Sequence, residues 1–148
     1  MVNAEETGWF VWNMATYDLR EAVNISAMEV PADVNEFEAA GVTPIASIDA
    51  PCPRVMESPA HFECRYLSTH RLRGNSAHGW VEVVYGEVVR IHVNDEVLTP
   101  EGKMDIPKIR PLARLGYYDY TSVTDVFEMR IPNASGAAAD GLEGKSGS

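Results

Sequence analysis

Residues 80 to 94, WVEVVYGEVVRIHVN, decide the fold. The stretch is the longest β pattern in the chain, with Val81, Val83, Tyr85, Val89, Ile91 and Val93 alternating along one side. Gly86 interrupts it near its centre, where a strand glycine marks a bulge or a close approach of something else. Its natural partner lies immediately upstream. From Ala60 to Leu72, Phe62, Cys64 and Tyr66 share one face, while His61, Glu63 and Arg65 share the other. Between the two strands, RGNSAHG at 73–79 has the composition of a turn.

Working outward, ETGWFVWNMATYDLREAVN at 6–24 reads as a strand running into a capped helix. Trp9 to Trp12 are apolar on both faces, which predicts a central strand with neighbours on either side. Thr16 is the expected N-cap, with Asp18 in the first turn and Leu19, Ala22 and Val23 along one face. A second helix start is expected at Asp33, with Glu36 three residues later, and Gly41 closes it. Pro44, Pro51, Pro53 and Pro59 then predict extended connecting chain over 42–59. Asp105 and Pro107 start a brief helix that Pro111 must stop, and Arg114 is expected in a rigid loop between Pro111 and Gly116. The fold class expected is therefore mainly β with short helices, built as a closed or partly closed barrel. Residues 1–131 read as one domain and 132–148 as a disordered tail with almost no large apolar group.

The 148 residues are 45% hydrophobic and 23% charged, an ordinary balance for one globular domain. No run approaches the roughly 18 apolar residues needed to cross a bilayer. The acidic start MVNAEE is unlike a signal peptide, so a soluble cytoplasmic protein is expected. Net charge is −10, concentrated early: residues 1–50 carry nine Asp and Glu against the single base Arg20. Such a surface repels phosphate backbones and anionic membranes, while leaving room for a phosphate-bearing cofactor held in a local pocket. Cys52 and Cys64, without a CxxC pair or an export signal, read as free thiols.

Chemical motifs are sparse. His61 and Cys64 are three apart on a strand and so face opposite ways, which argues against a zinc site, and no metal ligand set is expected. There is no GxSxG, Walker loop, HExxH or GxGxxG. His92 sits on the long strand with Gly86, Val88 and Arg90 expected on its face. Arg114, followed by Tyr117, Tyr118 and Tyr120, would suit a flat anionic ligand or ordinary interface packing.

Five segments in order, AEETGWFVWNMATYDLREAVN, DVNEFEAAGVTP, PRVMESPAHFECR, VVYGEVVRIHV and RPLARLGYYDY, resemble the flavin reductase-like, flavoredoxin-type branch of the FMN-binding split barrels. The resemblance runs from residue 3 to about 130. It implies a homodimer that binds FMN near the subunit interface and reduces it with NAD(P)H, hydride passing from nicotinamide C4 to flavin N5. The matching positions are Asn13 as a polar contact, Gly86 for close backbone approach, His92, and Arg114 as a ligand or interface anchor. Tyr117 stands where the family commonly has a second glycine after RLG. The family offers no acid or base to carry over, so no catalytic residue is assigned. Relatives carry further barrel strands and a phosphate site ahead of the helix that VNAEETG completes, so the barrel is expected to be incomplete at its N-terminus and FMN binding weak. The rival expectations are a catalytically silent interaction remnant and a flavin-carrying electron-transfer module.

Overall fold

The computed structural model describes residues 2–31, 33–74 and 79–129. The expected disorder of 132–148 and most of the 73–79 turn fall outside them. Helix α1 (Val2–Thr7) ends at Gly8, whose φ of 74° only glycine takes freely, and runs directly into β1 (Trp9–Asn13). Helices α2 (Arg20–Ser26) and α3 (Glu36–Ala40) follow, then the short strands β2 (Pro44–Ile45) and β3 (Arg54–Val55). The long strands β4 (Ala60–Arg73) and β5 (Trp80–Val93) form the body of the fold. A 3₁₀ turn at Asp95–Val97, helix α4 (Ile106–Ile109) and the hairpin β6 (Leu112–Gly116) to β7 (Asp119–Ser122) complete it. The chain is mainly β with few short helices, as its patterns predict.

Several local expectations need correction. β1 is not central among the described strands: the main sheet has the order β1-β4-β5, and β1 pairs only with β4. Thr16 caps no helix; it is buried in a bridge with Pro111, and α2 starts four residues later behind Leu19 without a side-chain cap. The cap of α3 is Asn35, whose side chain accepts from the Phe37 amide, and not Asp33. Gly41 closes that helix in the left-handed conformation, as expected. Arg114 belongs to strand β6 and not to a loop.

The largest correction concerns β5. Its register against β4 shifts twice, from Glu63↔Arg90 to Cys64↔Val88 and from Tyr66↔Gly86 to Ser68↔Tyr85. Val89 is thus the extra residue on β5 and Leu67 the extra residue on β4. Each bulge switches which alternate residues share a face. The supposed single stripe is therefore split: Ile91 and Val93 lie on one face, Val81, Val83 and Tyr85 on the other. His92 and Arg90 likewise part from Gly86 and Val88.

The sheet consequently has two unlike faces. One carries the row Trp12–Phe62–Ile91, directly opposed across three strands, with the Trp12 and Phe62 rings stacked 4.7 Å apart. The other carries the rows Asn13–His61–His92 and Val11–Glu63–Arg90. The polar face is the buried one. His61 and Glu63 are inaccessible to solvent, whereas Ile91 is 60% exposed.

Candidate functional site

The polar face is covered by the proline-rich segment 42–58, which Asn13, His61, Glu63 and Arg90 grip directly. Asn13 Oδ1 accepts from the Val55 amide at 2.9 Å, and His61 Nε2 lies 2.7 Å from the Val55 carbonyl. Two strands thus hold both sides of one residue. Glu63 accepts from three successive amides, Ile48 (2.9 Å), Asp49 (2.7 Å) and Ala50 (2.8 Å), and from His92 Nε2 at 2.5 Å. Arg90 closes the arrangement with a 2.5 Å ion pair to Asp49. Between the short paired strands β2 and β3 the segment forms no ladder, so the amides of Ile48, Asp49 and Ala50 need side-chain partners.

Charge follows from this geometry. Burial alone would raise the Glu63 carboxyl; the amides of Ile48, Ala50 and Asp49 and the His92 ring outweigh it and hold the group down to about 2. Glu63 is therefore ionised, and an ionised carboxylate only accepts, so His92 Nε2 carries a hydrogen. Burial lowers the His61 pKa, and the nearby charges of Arg54 and His92 add to it. Burial also raises both thiols, Cys52 and Cys64, which are free. Neither is poised as a nucleophile.

Beside this network lies a cleft of about 440 Å³ between β1, α2 and α3. Leu19, Ala22, Val23 and Ser26 present one face of α2 to it, and Phe37 and Ala40 one side of α3. Val11 to Ala15 form its floor. Among the described residues, Glu36 is the single charged one in the lining, which holds no Lys or Arg. Apolar walls with one amide, Asn13, suit a planar ring better than a phosphate.

The five residues singled out from sequence do not gather at one place. Asn13 borders the cleft, with Nδ2 making only a long 3.5 Å contact to the Val11 carbonyl. His92 is engaged by Glu63 on the polar face. Gly86 is on the opposite face, where a Cβ would stand 2.5 Å from Cε1 of the Phe10 ring and 3.1 Å from the Arg65 carbonyl. The close approach at Gly86 is thus made by the chain's own aromatic. Arg114 donates to the Tyr117 carbonyl at 3.0 Å in the β6–β7 hairpin. Tyr117 takes φ 49°, the left-handed region where glycine is unstrained, consistent with the glycine that the resemblance implies at this position. Sequence reasoning missed Glu63. Its signal was an acid at the centre of a strand flanked by Phe62 and Cys64, opposite a proline-rich segment that needed acceptors.

Comparison with known proteins agrees with the fold. The family described as Flavin reductase like domain matches residues 1–122. An uncharacterized protein of Aquifex aeolicus is 35% identical over 121 residues, covering 78% of this chain and 57% of its own length. Among solved structures, nitrilotriacetate monooxygenase component B from Bacillus cereus superposes with a TM-score of 0.76 at 29% identity, over 86% of this chain and 63% of that one. Flavoredoxin of Desulfovibrio vulgaris, at 20% identity and a TM-score of 0.69, shares the fold over 88% of this chain and 67% of its own. The chain spans roughly three-fifths of these relatives. On the family match and this shared split-barrel architecture, the chain belongs to the flavin reductase-like domain family.

Proposed function

We propose that this chain is an FMN-dependent oxidoreductase of the flavin reductase type, working as a cytoplasmic homodimer with NAD(P)H as co-substrate. The observation that carries this reading is the 440 Å³ cleft with Asn13 at its floor, inside a chain whose family binds flavin. The volume lies in the range of small-molecule sites, and the lining fits a ring system. FMN, when bound, supplies a flavin N5 that takes hydride from nicotinamide C4. The protein's part is physical. The apolar walls exclude water, which strengthens the few polar contacts left inside. The Asn13 Nδ2 hydrogens are available to a ring carbonyl, because Oδ1 is already committed to Val55 and the side chain is therefore held in one orientation. The Glu63 network fixes Val55, a wall of the same cleft, by fixing the segment that bears it.

No cation among the described residues lines the cleft, so this lining distinguishes little between FMN and riboflavin. Flavin fluorescence quenching tests this. The expected result is micromolar or weaker binding of both flavins with similar constants, and a loss of about tenfold for both in Asn13→Ala. Absence of any flavin binding would sink the reading. Strong preference for FMN would mean that a phosphate site exists elsewhere in the chain. The open row Trp12–Phe62–Ile91 favours a second reading, a silent interaction module. Anaerobic oxidation of NADH or NADPH by flavin-loaded protein separates the two.

A further inference from the structure

We propose that Tyr17, Arg20 and Arg110 form an anion site for the diphosphate of the pyridine nucleotide, an assignment that rests on the reading above. The three come from separate places: Tyr17 from the turn before α2, Arg20 from its first residue, and Arg110 from the end of α4. The Arg20 guanidinium carbon lies 4.4 Å from the Tyr17 ring centroid and that of Arg110 lies 4.7 Å from it. Two like charges thus meet on one ring, in the part of the sequence where Arg20 is the only base among nine acids.

The backbone holds them there. Tyr17 N donates to the Arg110 carbonyl at 2.9 Å, and Leu112 N to the Ala15 carbonyl at 3.0 Å. Between these bonds Arg110 is kept at φ 51°, a conformation a non-glycine residue adopts only when its surroundings impose it. Asp18 at 2.6 Å from Arg110 and Glu21 at 3.5 Å from Arg20 offset the charges. Both acids are mostly in solvent, with side chains 73% and 78% exposed, so either can swing aside for a stronger anion. Arg20 gives one N–H to the Tyr17 carbonyl and Arg110 one to Asp18, out of five on each guanidinium. Two residues along the chain from Tyr17 in either direction, Ala15 and Leu19 line the cleft. The backbone thus joins the cluster to the lining of the cleft on both sides of Tyr17.

The test uses ADP as probe, titrated calorimetrically at low salt without flavin, alongside a separate riboflavin titration. Arg20→Gln and Arg110→Asn should each weaken ADP about tenfold, and Asp18→Asn, which removes the internal competitor, should tighten it severalfold. All three should leave riboflavin unchanged, and about 0.5 M salt should abolish most of the ADP affinity. ADP binding with these responses but no riboflavin binding would uphold the anion site while sinking the flavin reading. Equal ADP affinity in the wild type and the folded arginine variants would overturn the proposal. So would an Asp18→Asn variant that melts lower without binding ADP more tightly, because the cluster would then be a staple between α2 and α4. A change in the FMN-to-riboflavin ratio with ADP unaffected would also overturn it, by assigning the arginines to the flavin's own phosphate.

Discussion

The two faces of the β1-β4-β5 sheet invert the usual arrangement. Beside β1, the covered face carries the polar side chains of Asn13, His61, Glu63, Arg90 and His92, and the other face the apolar row Trp12–Phe62–Ile91. A buried polar group is tolerated only when its partners are complete, and on the covered face they are: no buried side-chain nitrogen or oxygen among the described residues lacks a partner. What covers that face is an irregular, proline-rich segment whose amides need acceptors. The opposite face is open along the Trp12–Ile91 row, where Trp12 is 41% and Ile91 60% exposed, while Ala60 and Cys64 on the same face are buried. Position on the sheet alone does not tell which residues are indispensable; the material lying against them does.

This comparison predicts a large asymmetry. Glu63→Ala should cost about 3–5 kcal/mol, because it strands three amides and the His92 ring at once. That is a large part of a domain's whole stability, so urea denaturation should find the variant unfolded or nearly so. Ile91→Ala, on the open face one residue from His92, should cost less than about 1 kcal/mol at low protein concentration. Equal costs would break the comparison and mean that the open row is covered in solution.

Gly86 should be the exception on the open face. Gly86→Val places a side chain against the Phe10 ring and the Arg65 carbonyl and should cost about 1–3 kcal/mol despite valine's better strand propensity. Combining it with Phe10→Ala should yield a double variant more stable than the sum of the single losses predicts, measured as a double-mutant cycle.

Acid should loosen the covered face in two stages. His61 is held neutral by burial, so its folded pKa lies below the unfolded value of about 6.5, and stability should begin to fall as pH drops through that value. Glu63 is lowered to about 2, so its contribution is complete above the unfolded carboxyl value of about 4.3 and is lost as pH falls towards 2. Denaturation midpoints against pH should show both stages in the wild type, and His61→Gln should lack the upper one.

The smallest effect belongs to neither face. Tyr117→Gly should raise stability by about 0.5–1 kcal/mol by relieving the left-handed tyrosine at the hairpin tip, visible as a slightly higher melting temperature. A loss instead would show that the tyrosine ring, 91% exposed here, is held by something in solution.

Much of the fold was legible in the sequence because strand alternation and glycine stops are local signals: β4, β5, α4 and the Gly41 stop fall where the pattern puts them. What misled was equally physical. The bulges at Leu67 and Val89 leave no mark in composition, yet they divide an apparently single stripe between two faces. The central placing of β1 assumed that an apolar run has neighbours on both sides. At the site, Asn13 was visible as a residue type in a family pattern, but its orientation depends on Val55, 42 residues away. Glu63 and the Arg20–Tyr17–Arg110 cluster depend on contacts that no local window contains.

The contact between Phe10 and Gly86 joins two positions 76 apart into a single spatial allowance. Any relative that places a side chain at the second position has to surrender ring volume at the first, or move a strand. Substitutions at the two sites should therefore occur together through the family's history, and a change at position 86 alone should be the rarer observation.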